Sequence, residues 1–105
     1  MSQAPTNSDL LMIGKYQFDK RNLLLTLGSE EIELSTKEAD LLTLLYSSAN
    51  NTLKRESILK IVWEDEGAYV GRTLDVFISN LRKKLGADEN VKIINVRGVG
   101  YKMII

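Results

Sequence analysis

Residues 95–101, NVRGVGY, set Arg97 beside two glycines spaced G-x-G. A loop of that kind cradles a nucleotide phosphate only where a strand leads through it into a helix, with a third glycine or a lysine at fixed spacing. Here the sequence runs on as a second strand, Tyr101 to Ile104, so the phosphate-loop reading fails on context. What remains is a hairpin whose glycines take backbone angles that other residues resist, with Arg97 near its tip. A second group lies on residues 72–85. Turning each residue through about 100° puts Ile78, Leu81 and Leu85 within about 40° of Leu74, and puts Arg72, Thr73, Val76, Ser79, Asn80 and Lys83 on the far side, with Arg82 and Lys84 on the flanks. Such a face suits the base edges of a DNA major groove: Asn80 can pair with adenine, Ser79 with several edges, and Val76 can meet a thymine methyl. Arg72 and Thr73, at the helix start, combine a cation, a hydroxyl and backbone N–H groups, which together suit a phosphate. An ordinary solvated helix accounts for the same residues, because Arg82, Lys83 and Lys84 in a last turn favour the helix dipole without any ligand and Thr73 serves equally well as a cap.

Composition disfavours enzymatic chemistry. The chain has no cysteine and no histidine, which removes thiolate and imidazole metal ligands, the cysteine nucleophile and the usual general base. Its carboxylate groups, Glu30-Glu31 and Glu64-Asp65-Glu66, are adjacent in sequence and read as solvated turns rather than as an acid and a base held across a cleft. No catalytic residue, metal site or cofactor is expected. The formal net charge is zero, yet residues 1–71 hold seven basic and eleven acidic side chains, a net of −4, and residues 72–105 hold seven basic and three acidic, a net of +4. The C-terminal third is thus a basic module on an acidic body. With 105 residues the expectation is one domain, and no apolar run approaches membrane-spanning length. The N-terminus lacks the basic-then-apolar pattern of a secretory signal, so a soluble, cytoplasmic protein is expected.

These residues need elements to position them. Residues 1–12 read as a linker or tail, and residues 13–105 as the domain. From Ile13 to Leu34, short apolar runs punctuated by Asp19-Lys20-Arg21-Asn22 and Leu27-Gly28-Ser29-Glu30 predict a small antiparallel sheet of about three strands. Ser35-Thr36-Lys37-Glu38 is a capping box, and Ala39, Leu41, Leu42 and Leu45 follow at helical spacing until the run from Ser47 to Asn51 stops the helix. Lys54-Arg55-Glu56-Ser57 opens a shorter helix, with Ile58, Leu59, Ile61 and Val62 inward and an end near Trp63. A loop from Glu64 to Gly71 leads to the third helix, which Gly86 caps, and Ile93–Val96 and Tyr101–Ile104 form the last hairpin. Trp63, Tyr46 and Tyr101 are expected in the core rather than as base-stacking platforms. A hairpin beside a groove-reading helix is a wing, and an arginine there can enter the narrow, electronegative minor groove.

Leu34-Ser-Thr-Lys-Glu38 with Leu41, Leu42 and Leu45, then Arg55-Glu56 with Val62-Trp63, then Arg72-Thr73-Leu-Asp75-Val76 with Ile78 and Leu81-Arg-Lys-Lys-Leu85, and finally Val96-Arg-Gly-Val-Gly-Tyr101, occur in one order and spacing. From about Ile13 to Ile105 the chain resembles the winged-helix effector domain of OmpR/PhoB-type response regulators. The resemblance implies an α+β winged helix-turn-helix: a four-stranded N-terminal antiparallel sheet, three helices and a C-terminal hairpin wing. It implies sequence-specific binding to double-stranded DNA for transcriptional regulation, with two protomers in tandem on direct-repeat promoter sites. The third helix would enter the major groove through Val76, Ser79, Asn80 and Lys83, and Arg97 the minor groove. Phosphate contacts map onto Arg72, Thr73 and Arg82, with Lys84 and Asn95 beside them. The loop holding Glu64, Asp65, Glu66 and Tyr69 is where such proteins contact RNA polymerase, and a protein-interaction module acting through residues 64–71 is the alternative function. The receiver domain of the family is absent from this chain. Two departures stand out. Phe77 replaces the usual histidine and Asn95 the usual threonine, which implies that one of the family's phosphate interactions is missing here and another is altered.

Overall fold

The computed structural model describes residues 10–63 and 71–105, and of Gly71, Arg72 and Thr73 the backbone alone. Four short strands, β1 (Leu10–Ile13), β2 (Tyr16–Asp19), β3 (Leu24–Leu27) and β4 (Glu30–Glu33), form an antiparallel sheet in the order β1-β2-β3-β4. The strand alternation sends Tyr16 and Phe18 inward and Gln17 outward, and the register sets Leu11, Phe18, Leu25 and Ile32 side by side on the inner face. The sheet has four strands, as the resemblance implied, and not the three that the turn rhythm suggested. It starts at Leu10, so residues 10–12 belong to β1 and not to a tail; Leu11 packs against the core and secures them. At the turn between β2 and β3, the Asn22 amide N–H donates to Asp19 Oδ1 at 3.1 Å.

Helix α1 (Thr36–Ser47) begins with the expected capping box. The Glu38 N–H donates to Ser35 Oγ at 3.2 Å and the Ser35 N–H donates to Glu38 Oε1 at 2.8 Å, so two N–H groups left over by the helix start are satisfied reciprocally. Its Ala39, Leu41, Leu42 and Leu45 are buried. A three-residue strand, β5 (Thr52–Lys54), precedes α2 (Arg55–Val62); sequence reading assigned no strand there and took Lys54 into the helix start, because three residues are too few to show a period of two. Only Ile58 and Val62 of α2, one turn apart, are fully buried, and Leu59 packs partly against the core. Ile61, expected inward, is 59% exposed: it lies about 60° round the helix from Ile58, away from the buried stripe. Lys37 Nζ donates to the Val62 carbonyl at 2.8 Å and occupies one of the acceptors that the end of α2 leaves over.

Helix α3 (Gly71–Lys84) is followed by β6 (Lys92–Val96) and β7 (Gly100–Ile104), which pair antiparallel. β7 is the central strand of a second sheet, β5-β7-β6. Leu74, Ile78, Leu81 and Leu85 from the α3 side join Ile58, Trp63, Tyr101 and Met103 with the inner face of the first sheet in a single apolar cluster. Trp63 and Tyr101 are buried and Tyr46 is half-buried against that cluster, in line with the core role expected for them. No helix among the described residues is long and apolar enough to cross a membrane.

Candidate nucleic-acid interface

The buried stripe of α3 fixes what its opposite face displays. Leu74, Ile78 and Leu81 are at most 1% exposed, so Val76 (55% exposed), Ser79 and Lys83 stand in solvent and Asn80 is half-buried at the edge. This is the face drawn from the helical projection. The side chains of Arg72 and Thr73 lie outside the described residues, as does the loop with Glu64, Asp65, Glu66 and Tyr69.

The two flanking cations differ. Arg82 Nε donates to the Ile93 carbonyl at 2.8 Å, tying α3 to β6, while the residue as a whole is exposed. Lys84 turns inward instead: its Nζ donates to Glu38 Oε1 at 2.7 Å and to the Glu33 carbonyl at 2.9 Å. Lys84 was expected at a phosphate, but the buried Glu38 carboxylate holds it, because an ionised carboxylate 6% exposed needs a cation more than the surface does. Burial by itself would push the Glu38 carboxyl up; the Lys84 ammonium, the Ser35 amide and the Ser35 hydroxyl outweigh it and hold the group below its usual value.

The hairpin is built by two glycines for different reasons. Gly98 adopts φ +76° in the turn closed by the Val99 N–H and Val96 carbonyl at 2.9 Å, a conformation that side chains resist. Gly100 sits where a Cβ would collide with the Leu53 carbonyl and the Arg55 N–H, so it lets β5 and α2 close on β7. Arg97, Gly98 and Val99 form the exposed tip, and Asn95 is exposed opposite Tyr101.

A cluster that sequence reasoning missed joins helix and hairpin. Asp75 Oδ1 accepts from the Tyr101 hydroxyl at 2.6 Å and from Arg55 Nη1 at 2.8 Å, with Arg55 Nη1 and the Tyr101 oxygen 3.5 Å apart. The Arg55 guanidinium, then the Tyr101 hydroxyl, hold the Asp75 carboxyl below its usual value. Burial, reinforced by the bond to Asp75, raises the Tyr101 phenol. The available signal was Asp75 itself, a single acid flanking an otherwise cationic face. Phe77 meets Trp63 edge-on, with centroids 5.3 Å apart and rings at 86°, so it is a packing residue beneath the face.

This arrangement of helix face, hairpin and core agrees with a family model described as "Transcriptional regulatory protein, C terminal", which matches residues 29–103. The chain belongs to this family. Its members of the OmpR/PhoB type are DNA-binding domains of transcriptional regulators, and the α+β winged-helix fold is the one expected. The transcriptional regulatory protein RprY of Bacteroides fragilis is 42% identical over 97 residues, which is 92% of this chain and 41% of RprY. The chain therefore spans about two fifths of that relative's length. Among solved structures, the Klebsiella pneumoniae RstA DNA-binding domain in complex with the RstA box is 34% identical with a TM-score of 0.73, over 90% of this chain and 96% of that one. The DNA-binding domain of E. coli CadC reaches a TM-score of 0.82 at 21% identity, over 92% of each chain, a likeness of fold.

Proposed function

We propose that this OmpR/PhoB-type domain binds double-stranded DNA sequence-specifically, with α3 in the major groove and the β6–β7 hairpin in the adjacent minor groove. The observation that carries the reading is one α3 face, with Val76, Ser79 and Lys83 exposed and Asn80 half-buried at its edge, tied through Asp75 and Tyr101 to a hairpin that displays Arg97. Asn80 pairs with an adenine edge, Ser79 and Lys83 bond neighbouring edges, and Val76 meets a thymine methyl. Arg72 and Thr73 at the helix start, the outer N–H groups of Arg82, and Asn95 contact phosphates, and Arg97 enters the minor groove. Lys84 is left out of this set because Glu38 engages it.

In this reading the domain is the output part of a two-component response regulator in the bacterial cytoplasm, and two protomers bind direct-repeat half-sites in tandem. RNA polymerase is the protein partner, met through Glu64, Asp65, Glu66 and Tyr69. Footprinting on genomic DNA tests the proposal. Protection of paired direct repeats, one helical turn or about 10 bp apart, is expected; coverage without a preferred sequence would overturn it.

A further inference from the structure

We infer that Lys54 is a phosphate contact, set over the sugar-phosphate strand that runs between the two grooves; the inference rests on the binding mode proposed above. Lys54 ends β5, pairs with Gly100 of β7, and lines an open groove of about 590 Å³ together with Arg55, Glu56, Asn95, Gly98 and Val99. A protein with one element in a major groove and another in the adjacent minor groove must lie across the backbone that separates them. The groove lies between the start of α2 and the hairpin, and α3 adjoins it through the bond of Arg55 to Asp75. Arg55 on one wall is bonded to Asp75 of α3, and Asn95 and Gly98 on the other belong to the hairpin.

The other cation of the lining, Arg55, is held by Asp75. The Lys54 side chain is exposed and its ammonium makes no hydrogen bond or ion pair among the described residues. The charged lining consists of Lys54, Arg55 and Glu56, so Lys54 decides whether the groove is cationic or neutral overall. Glu56 opposes a phosphate there and tempers the attraction. Sequence reading passed over Lys54 because it lies in the acidic part of the chain, and only the pairing of β5 with β7 carries it to the hairpin.

The experiment is a salt titration of Lys54→Gln on a duplex holding the footprinted site and on a scrambled duplex, by fluorescence anisotropy between about 50 and 200 mM salt. Lys20→Gln, in the turn between β2 and β3, is the control. The expected result is a log–log slope shallower by about 0.9 for Lys54→Gln, so that the wild-type advantage shrinks about 3.5-fold across that range, equally on both duplexes. Lys54→Arg should restore the slope, and Glu56→Gln should tighten binding to both duplexes. An unchanged slope for Lys54→Gln, a loss confined to the specific duplex, or no rescue by arginine would overturn the assignment. Salt-independent binding by the wild-type protein would instead overturn the DNA-binding mode itself.

Discussion

The phenol of Tyr101 in the hairpin donates to Asp75 Oδ1 on α3 at 2.6 Å, and the same oxygen accepts from Arg55 at the start of α2. One carboxylate thus ties α3, the start of α2 and the hairpin to one another.

Asp75→Asn keeps an acceptor but removes the charge. The folded carboxyl is depressed below 3.8, so its contribution is complete above that value and is lost as pH falls through the lower folded value. Because the Asp75 and Arg55 side chains are 54% and 37% exposed, solvent screens the pair. The expected loss at neutral pH is about 0.5–1 kcal/mol, a drop of a few degrees in Tm. Thermal unfolding of both proteins at neutral and strongly acid pH should show the gap closing in acid.

Lys84→Gln separates stability from DNA contact. It leaves the buried Glu38 carboxylate without its cation, at an expected cost of about 2–3 kcal/mol in urea unfolding. The Glu38 contribution is present above 4.5 and lost as pH falls through its lowered folded value, so the Lys84→Gln deficit should shrink in acid. The salt slope of DNA binding should stay that of the wild type, whereas a phosphate-contacting Lys84 would make it shallower by about 0.9.

Gly100→Ala tests why the wing carries a second glycine. The added methyl meets the Leu53 carbonyl and the Arg55 N–H, which are backbone atoms without rotamers to escape into. A loss of about 1–3 kcal/mol is expected, with faster amide exchange in β5 as it parts from β7. Gly28→Ala meets no neighbour, though its φ of +63° still strains the turn, and it should leave β5 protected.

Elements whose signals are local were legible in the sequence. The capping box at Ser35 and Glu38 marked the start of α1, and the Leu74, Ile78, Leu81 stripe determined which face of α3 is outward. What escaped was decided by distant partners. Strand β5 exists because Leu53 pairs with Tyr101, Lys84 turns inward because α1 brings Glu38 to it, and Arg55 meets Asp75 across 20 positions. No periodicity encodes such pairings. A single acid on a cationic helix face was their one visible trace.

Base readout and groove insertion should separate by mutation. Asn80→Ala is expected to cost about 1–3 kcal/mol on the specific site and little on scrambled DNA. Arg97→Ala should weaken binding most where A·T-rich sequence flanks the site, since a narrow minor groove concentrates negative potential. Equal losses on all flanks would remove the minor-groove assignment.

The most direct measurement of the central claim is the affinity of the domain for its footprinted duplex, against a scrambled duplex, at rising salt. The account predicts a log–log slope near −0.9 for each phosphate contacted, together with a preference for the specific duplex that Asn80→Ala removes. A flat slope, or equal affinity for the two duplexes, would contradict it.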